Sequence, residues 1–142
     1  MSHEAPPIVK LAERVLGEIE EAVRSFPRFH KYASGEELRA AARKVARASH
    51  RAWRVHERRG DLISVLVFAV DDLKLEMQVS KRLAAFKSFA QFEALIRLID
   101  DLGRQCGGWQ NKHPKGQNSR TPSSAGRAQI LSARDASQGA NP

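Results

Sequence analysis

Cysteine is almost missing from this chain: Cys106 is the only one in 142 residues. A lone thiol excludes an intramolecular disulfide and every metal site built on paired cysteines, and it fits a reducing, cytoplasmic setting. Long apolar runs are missing as well. The longest, Leu62 to Val70, is interrupted by Ser64 and falls far short of the roughly 20 residues needed to cross a bilayer, so no membrane partner is expected. The N-terminal Met-Ser-His-Glu-Ala-Pro-Pro is polar and carries no secretory core segment, which adds to the expectation of a soluble protein. Acidic residues are in deficit, with 16 Asp plus Glu against 24 Lys plus Arg and a formal net charge of +8. Such an imbalance points to RNA, DNA or another polyanion as partner, without naming a sequence preference.

Catalytic signatures are equally scarce. No glutamate is followed by histidine three residues later, which removes the Glu-x-x-His pairs that hold di-iron centres in helical bundles. The chain also lacks a His-Glu-x-x-His helix, a phosphate-binding glycine loop and a Gly-x-Ser-x-Gly elbow. Asp71-Asp72 and Asp100-Asp101 are adjacent pairs. Neighbours on a helix point about 100° apart, so neither pair forms a two-carboxylate site; Lys74, Arg97 and Arg104 are their expected partners. We expect no enzymatic activity, no cofactor, no metal and no small-molecule substrate.

What the chain does have is helical periodicity. After a leader at 1–7, Ile8, Leu11, Val15, Ile19, Ala22 and Phe26 recur at the three-four spacing of an amphipathic helix. This first helix, about 8–26, is opened by Pro7 and stopped at Phe26-Pro27-Arg28. In the connector that follows, Phe29 and Tyr32 are read as covering the open end of the core, with base stacking as the alternative. Ser34 and Glu37 read as a capping box for a second helix at about 35–59, ended by Gly60, with Asp61 capping the next. The third helix, about 62–83, is apolar on nearly every side. A bundle of four leaves one such face over, so Val65, Phe68, Leu75 and Val79 are candidates for contact with a second copy. Ser88 and Gln91 read as another capping box for a fourth helix at about 88–107, with Phe89, Phe92, Leu95, Ile99, Leu102 and Cys106 on its stripe and Gly107-Gly108 at its end. Trp109 is read first as core closure and second as a binding residue. The expected architecture is an all-α, up-down antiparallel four-helix bundle over 8–109. Residues 110–142, rich in Asn, Gly, Ser and Pro, are expected to form a disordered basic tail.

The most informative stretch is the second helix. Arg39, Arg43, Arg47, Arg51, Arg54 and Arg58 recur in steps of four, four, four, three and four, with His50 in the same stripe. At 1.5 Å per residue the row is roughly 28 Å long, comparable to one turn of a nucleic-acid duplex. Leu38, Ala41, Ala42, Val45, Ala48, Ser49 and Ala52 take the other side as a core strip. A solvated face is the ordinary reading of charged helix surfaces; here only Glu36, Glu37 and Glu57 offset the cations of the segment, so the face repels itself unless an anion covers it. Lys81, Arg82 and Lys87 at the last hinge complete the candidate nucleic-acid-binding set.

Phe26-Pro27-Arg28, the Phe86-Lys-Ser-Phe-Ala-Gln-Phe92 run and the closing Leu98-Ile-Asp-Asp-Leu-Gly-Arg-Gln-Cys-Gly-Gly-Trp109 resemble the Avd family, the four-helix-bundle accessory variability determinant of diversity-generating retroelements. Its relative is the bundle encoded in intervening sequences of bacterial 23S ribosomal RNA genes, whose Asn-Ile-Ala-Glu-Gly-type motif this chain lacks. The resemblance implies a homopentameric, basic barrel that binds template RNA and the reverse transcriptase and supports error-prone cDNA synthesis. Alternatives are a protein-only scaffold docking an acidic partner and a ribosomal-RNA-associated bundle.

Overall fold

A computed structural model describes residues 4–114 and 116. Four long helices make the fold, α1 (Pro7–Arg24), α3 (Ser34–Arg54), α4 (Arg59–Arg82) and α5 (Phe89–Lys112), and a single short turn of helix, α2 (Arg28–Lys31), lies in the first connection. Residue pairs across the seams set the directions. Glu20 meets Arg43 and Glu13 meets His50, so a step forward in α1 is a step back in α3. Likewise Lys74 meets Asp100 and Ser64 meets Gln110, which makes α4 and α5 antiparallel. Each helix packs on its neighbours in the chain, and α5 closes the ring on α1.

The apolar stripes converge as the periodicity requires. Val9, Val15 and Ile19 of α1, Leu38 and Val45 of α3, Leu66, Leu73 and Met77 of α4, and Ile99 and Leu102 of α5 are completely buried. Fully burying such side chains stabilises by roughly 1.5–3 kcal/mol each, and this interior holds the four rods together. At one end Phe26 meets Phe86 edge-on at 5.1 Å between ring centroids, and Phe86 meets Phe92 at 5.5 Å. Those three rings close that end. Phe29 and Tyr32, expected to do so, are 79% and 66% exposed instead.

Helix ends depart from the sequence reading where packing outweighs local signals. Ser34 is not a cap: Ala33 holds the N-cap position, and Ser34 lies inside α3, buried, its hydroxyl without a partner among the described residues. Its neighbour Gly35 is closely packed against α1: a Cβ there would come within 2.9 Å of Val23 Cγ1. Gly60 does not end a helix. Helix α3 stops at Arg54, and Arg59 folds its guanidinium back, Nε donating to Ala52 O at 2.8 Å and Nη2 to Trp53 O at 2.7 Å. A cation on the last carbonyls both satisfies them and complements the helix dipole. Gly60 then lies within α4, where a Cβ would meet Pro114 O at 2.3 Å. Asp61 accepts from Gly116 N instead of capping.

The second capping box does form, with one change: Ser88 Oγ accepts from Gln91 N at 3.1 Å, while Gln91 Oε1 accepts from Lys87 N. Helix α5 runs on through Gly107 and Gly108 to Lys112, because Trp109 continues its packed stripe and Gln110 is tied to Ser64. Residues 110–112 are therefore helical; of the expected tail, residue 115 and residues 117–142 lie outside the described residues. No helix among the described residues is long and apolar enough to cross a membrane.

Candidate nucleic-acid interface

The arginine row does not stay on one line. Four residues advance a helix by 400°, so each step of four shifts the row 40° around the axis. Along α3 three such steps turn Arg51 about 120° from Arg39, away from the α1 seam, and the step of three to Arg54 turns the row back by about 60°. Arg39 and Arg43 therefore meet Glu20 of α1: Arg43 Nη2 donates to Glu20 Oε2 at 2.6 Å, and Arg39 Nε lies 3.2 Å from Oε1. Arg39 also reaches Glu36 at 3.4 Å, and His50 Nε2 lies 2.9 Å from Glu13 Oε2. These three members of the predicted site are engaged with carboxylates of the same chain.

The remainder is open. Arg47, Arg51, Arg54 and Arg58 are exposed and form no ion pair among the described residues. Arg54 instead lies 5.4 Å over the ring of Trp53, and Arg58 sits in the α3–α4 connection, just before α4 begins. The free part of the row is thus the C-terminal half of α3 and the turn after it.

Lys81, Arg82 and Lys87 are not brought to this surface. They stand at the far end of α4 and in the α4–α5 connection, about 33 Å along the helix axis from Arg59. Lys81 Nζ sits 5.0 Å over Phe92 and 5.7 Å over Phe89, so its ammonium is engaged with rings at that end of the bundle.

Several acidic groups are accounted for locally. Asp100 pairs with Lys74 and Asp101 with Arg104, as the spacing suggests, whereas Arg97 takes Glu93. Cys106 is 1% exposed, and burial pushes its thiol pKa up to about 12, so it is a small core residue in its neutral form. Among the described residues no cluster of His, Cys, Asp or Glu could hold a metal ion.

Val65, Phe68, Leu75 and Val79 share one outward stripe of α4, with exposures of 56%, 66%, 60% and 38%. That stripe is opposite the line of Leu66, Val70, Leu73 and Met77, which faces the core. Two residues that spacing did not single out belong to the basic end. Trp53 and Arg59 lie beside the free arginines, and the only hint in the sequence is that one of two tryptophans falls within the arginine-rich stretch. Compared with known protein families, curated proteins and solved structures, the chain matches none.

Proposed function

We propose that this bundle is a non-catalytic, RNA-binding assembly subunit, and that it serves as the accessory protein of a diversity-generating retroelement. The observation that carries the binding half is the row Arg47, Arg51, Arg54 and Arg58, exposed and free of carboxylates among the described residues. Mutually repelling guanidiniums, three held on one helix and the fourth on the turn after it, are stabilised by a polyanion, and phosphates are matched to them in charge and geometry. Contacts of this kind position a backbone and carry little base specificity, which suits a subunit that holds template RNA for a polymerase. The resemblance of the closing Leu102-Gly-Arg-Gln-Cys-Gly-Gly-Trp109 to the Avd family supplies the context: template RNA and the reverse transcriptase as partners, in the cytoplasm. The outward stripe Val65, Phe68, Leu75 and Val79 supplies apolar surface for self-association, for which the family implies a homopentamer. A ring of copies multiplies the basic surface beyond what one chain offers.

Titration of a generic RNA at stepped salt concentrations tests the binding half. An RNA-binding subunit loses affinity linearly in log salt, whereas a scaffold that docks an acidic protein binds the RNA weakly and without that loss. The retroelement context is tested at the encoding locus: a neighbouring reverse transcriptase gene and a pair of near-identical repeats are expected, and a ribosomal RNA operon there would overturn it.

A further inference from the structure

A cleft of about 550 Å³ opens at the end of the bundle where α1 begins and α3 and α5 finish, within the ~300–1,000 Å³ typical of small-ligand sites. The chain has two tryptophans, and both line this cleft: Trp53 of α3 and Trp109 of α5, together with Arg59, Gln105, Gly108 and Lys112. These rings meet because α3 and α5 finish at the same end of the bundle. Both remain partly exposed. Arg59, fixed by its two bonds to the α3 carbonyls, holds its guanidinium 6.0 Å from the Trp109 ring centre. Gly108 in its wall carries no side chain, and a Cβ built there would stand in open space with nothing within 4 Å.

Charge narrows the kind of ligand. Arg59 and Lys112 both line the cleft, and Glu4 at its edge is paired with Lys10. The pKa of nearby His113 is lowered by burial and then by Arg59 and Lys112, so this corner already carries concentrated positive charge. The cleft is also continuous with the arginine row, because Trp53, in its wall, carries Arg54 on its ring at 5.4 Å.

We propose that this cleft receives one unpaired base of a single-stranded RNA whose backbone runs along the arginine row. The indoles offer stacking surface; Gln105, whose Nε2 lies 3.5 Å from Asp101 Oδ2, offers its amide oxygen to a base edge; and Lys112, with the part of the Arg59 guanidinium not held by Ala52 O, Trp53 O and His56 Nδ1, answers the adjoining phosphate. A purely apolar ligand would leave the cations unanswered, and an acidic peptide would leave the indoles without a flat partner. This deepens the RNA-binding reading and rests on it. It adds that the protein distinguishes single strands from duplexes, whose bases are stacked away.

Because both tryptophans also pack against the core, their removal would disturb the fold, and Gly108→Leu is the better variant. It fills the cleft while favouring helix. The full chain is titrated with a single-stranded oligoribonucleotide and with an abasic sugar-phosphate strand of equal length, following tryptophan emission and affinity. The expected result is quenching by the oligoribonucleotide alone. Gly108→Leu should abolish that quenching and weaken oligoribonucleotide binding about tenfold, leaving the abasic strand unaffected. Equal emission changes with both strands, or an unaltered response in Gly108→Leu, overturns the cleft proposal and leaves the arginine row standing. Binding of neither strand overturns both.

Discussion

Ala84 holds the left-handed conformation, φ 58°, just past the end of α4. Around it, Ala85 N donates to Ser80 O at 3.0 Å and Ala84 N to Lys81 O at 2.9 Å, the paired bonds of a helix end that glycine ordinarily occupies. A side chain there costs about 1–2 kcal/mol, and glycine returns part of that gain by loosening the unfolded chain. Ala84→Gly is therefore expected to raise stability by about 0.5–1 kcal/mol, seen as a melting temperature a few degrees higher. A lower melting temperature would show that Ala84 is relaxed. Residue-level features of this kind were only partly legible beforehand. Ser88 with Gln91 was readable because both partners lie within one turn of chain. Ser34 was not, because Val23 and His30, from other elements, decide how Gly35 and its neighbour are seated.

At the scale of elements, the two faces of α3 were readable from spacing, and the buried side, Leu38, Ala42, Val45, Ser49 and Ala52, is as the period demands. What spacing could not show is which arginines are answered. Glu20 and Glu13 belong to another helix, and only the α1–α3 register matches them to Arg39, Arg43 and His50. The end of α3 was hidden for the same reason, since the side chain that finishes it, Arg59, comes from the next helix. The other side of α3 makes a distinct prediction. Glu76 of α4 has its pKa raised, first by burial and then by Glu37 of α3 and Asp72 of its own helix. A carboxyl whose folded pKa lies above its unfolded value opposes folding when ionised. That cost is full above the folded pKa and absent below the ordinary value of 4.5. Glu76→Gln should thus stabilise the protein at pH 7, with the gain fading as pH falls through the raised pKa. Thermal melts of both forms across that range check this, and a gain that persists at pH 3 would contradict it.

The whole molecule carries two surfaces of different character: a basic end formed by late α3 and the turn after it, and the outward apolar stripe of α4. Each was visible as a pattern, the first as an arginine row and the second as a helix apolar on too many sides. Their separation emerges only from the bundle, which turns one face of α4 inward and leaves Phe68 and Leu75 outside. If the stripe joins copies, Phe68→Glu with Leu75→Glu should leave the helical circular dichroism intact and reduce the mass in light scattering to the 15.8 kDa of one chain. An unchanged assembly would move the contact elsewhere. Loss of helix would instead place those side chains in the core, against their exposure.

If late α3 and the turn after it neutralise RNA phosphates, the salt dependence of RNA affinity for the wild-type chain beside Arg47→Ala, Arg51→Ala, Arg54→Ala, Arg58→Ala combined reports it without intermediate steps. Each phosphate contact on a single strand contributes about 0.7 to the slope of log affinity against log salt. The combined variant should accordingly fall off less steeply by about 3, with its helical content unchanged. Parallel lines for the two proteins would show that these four arginines do not meet RNA phosphates.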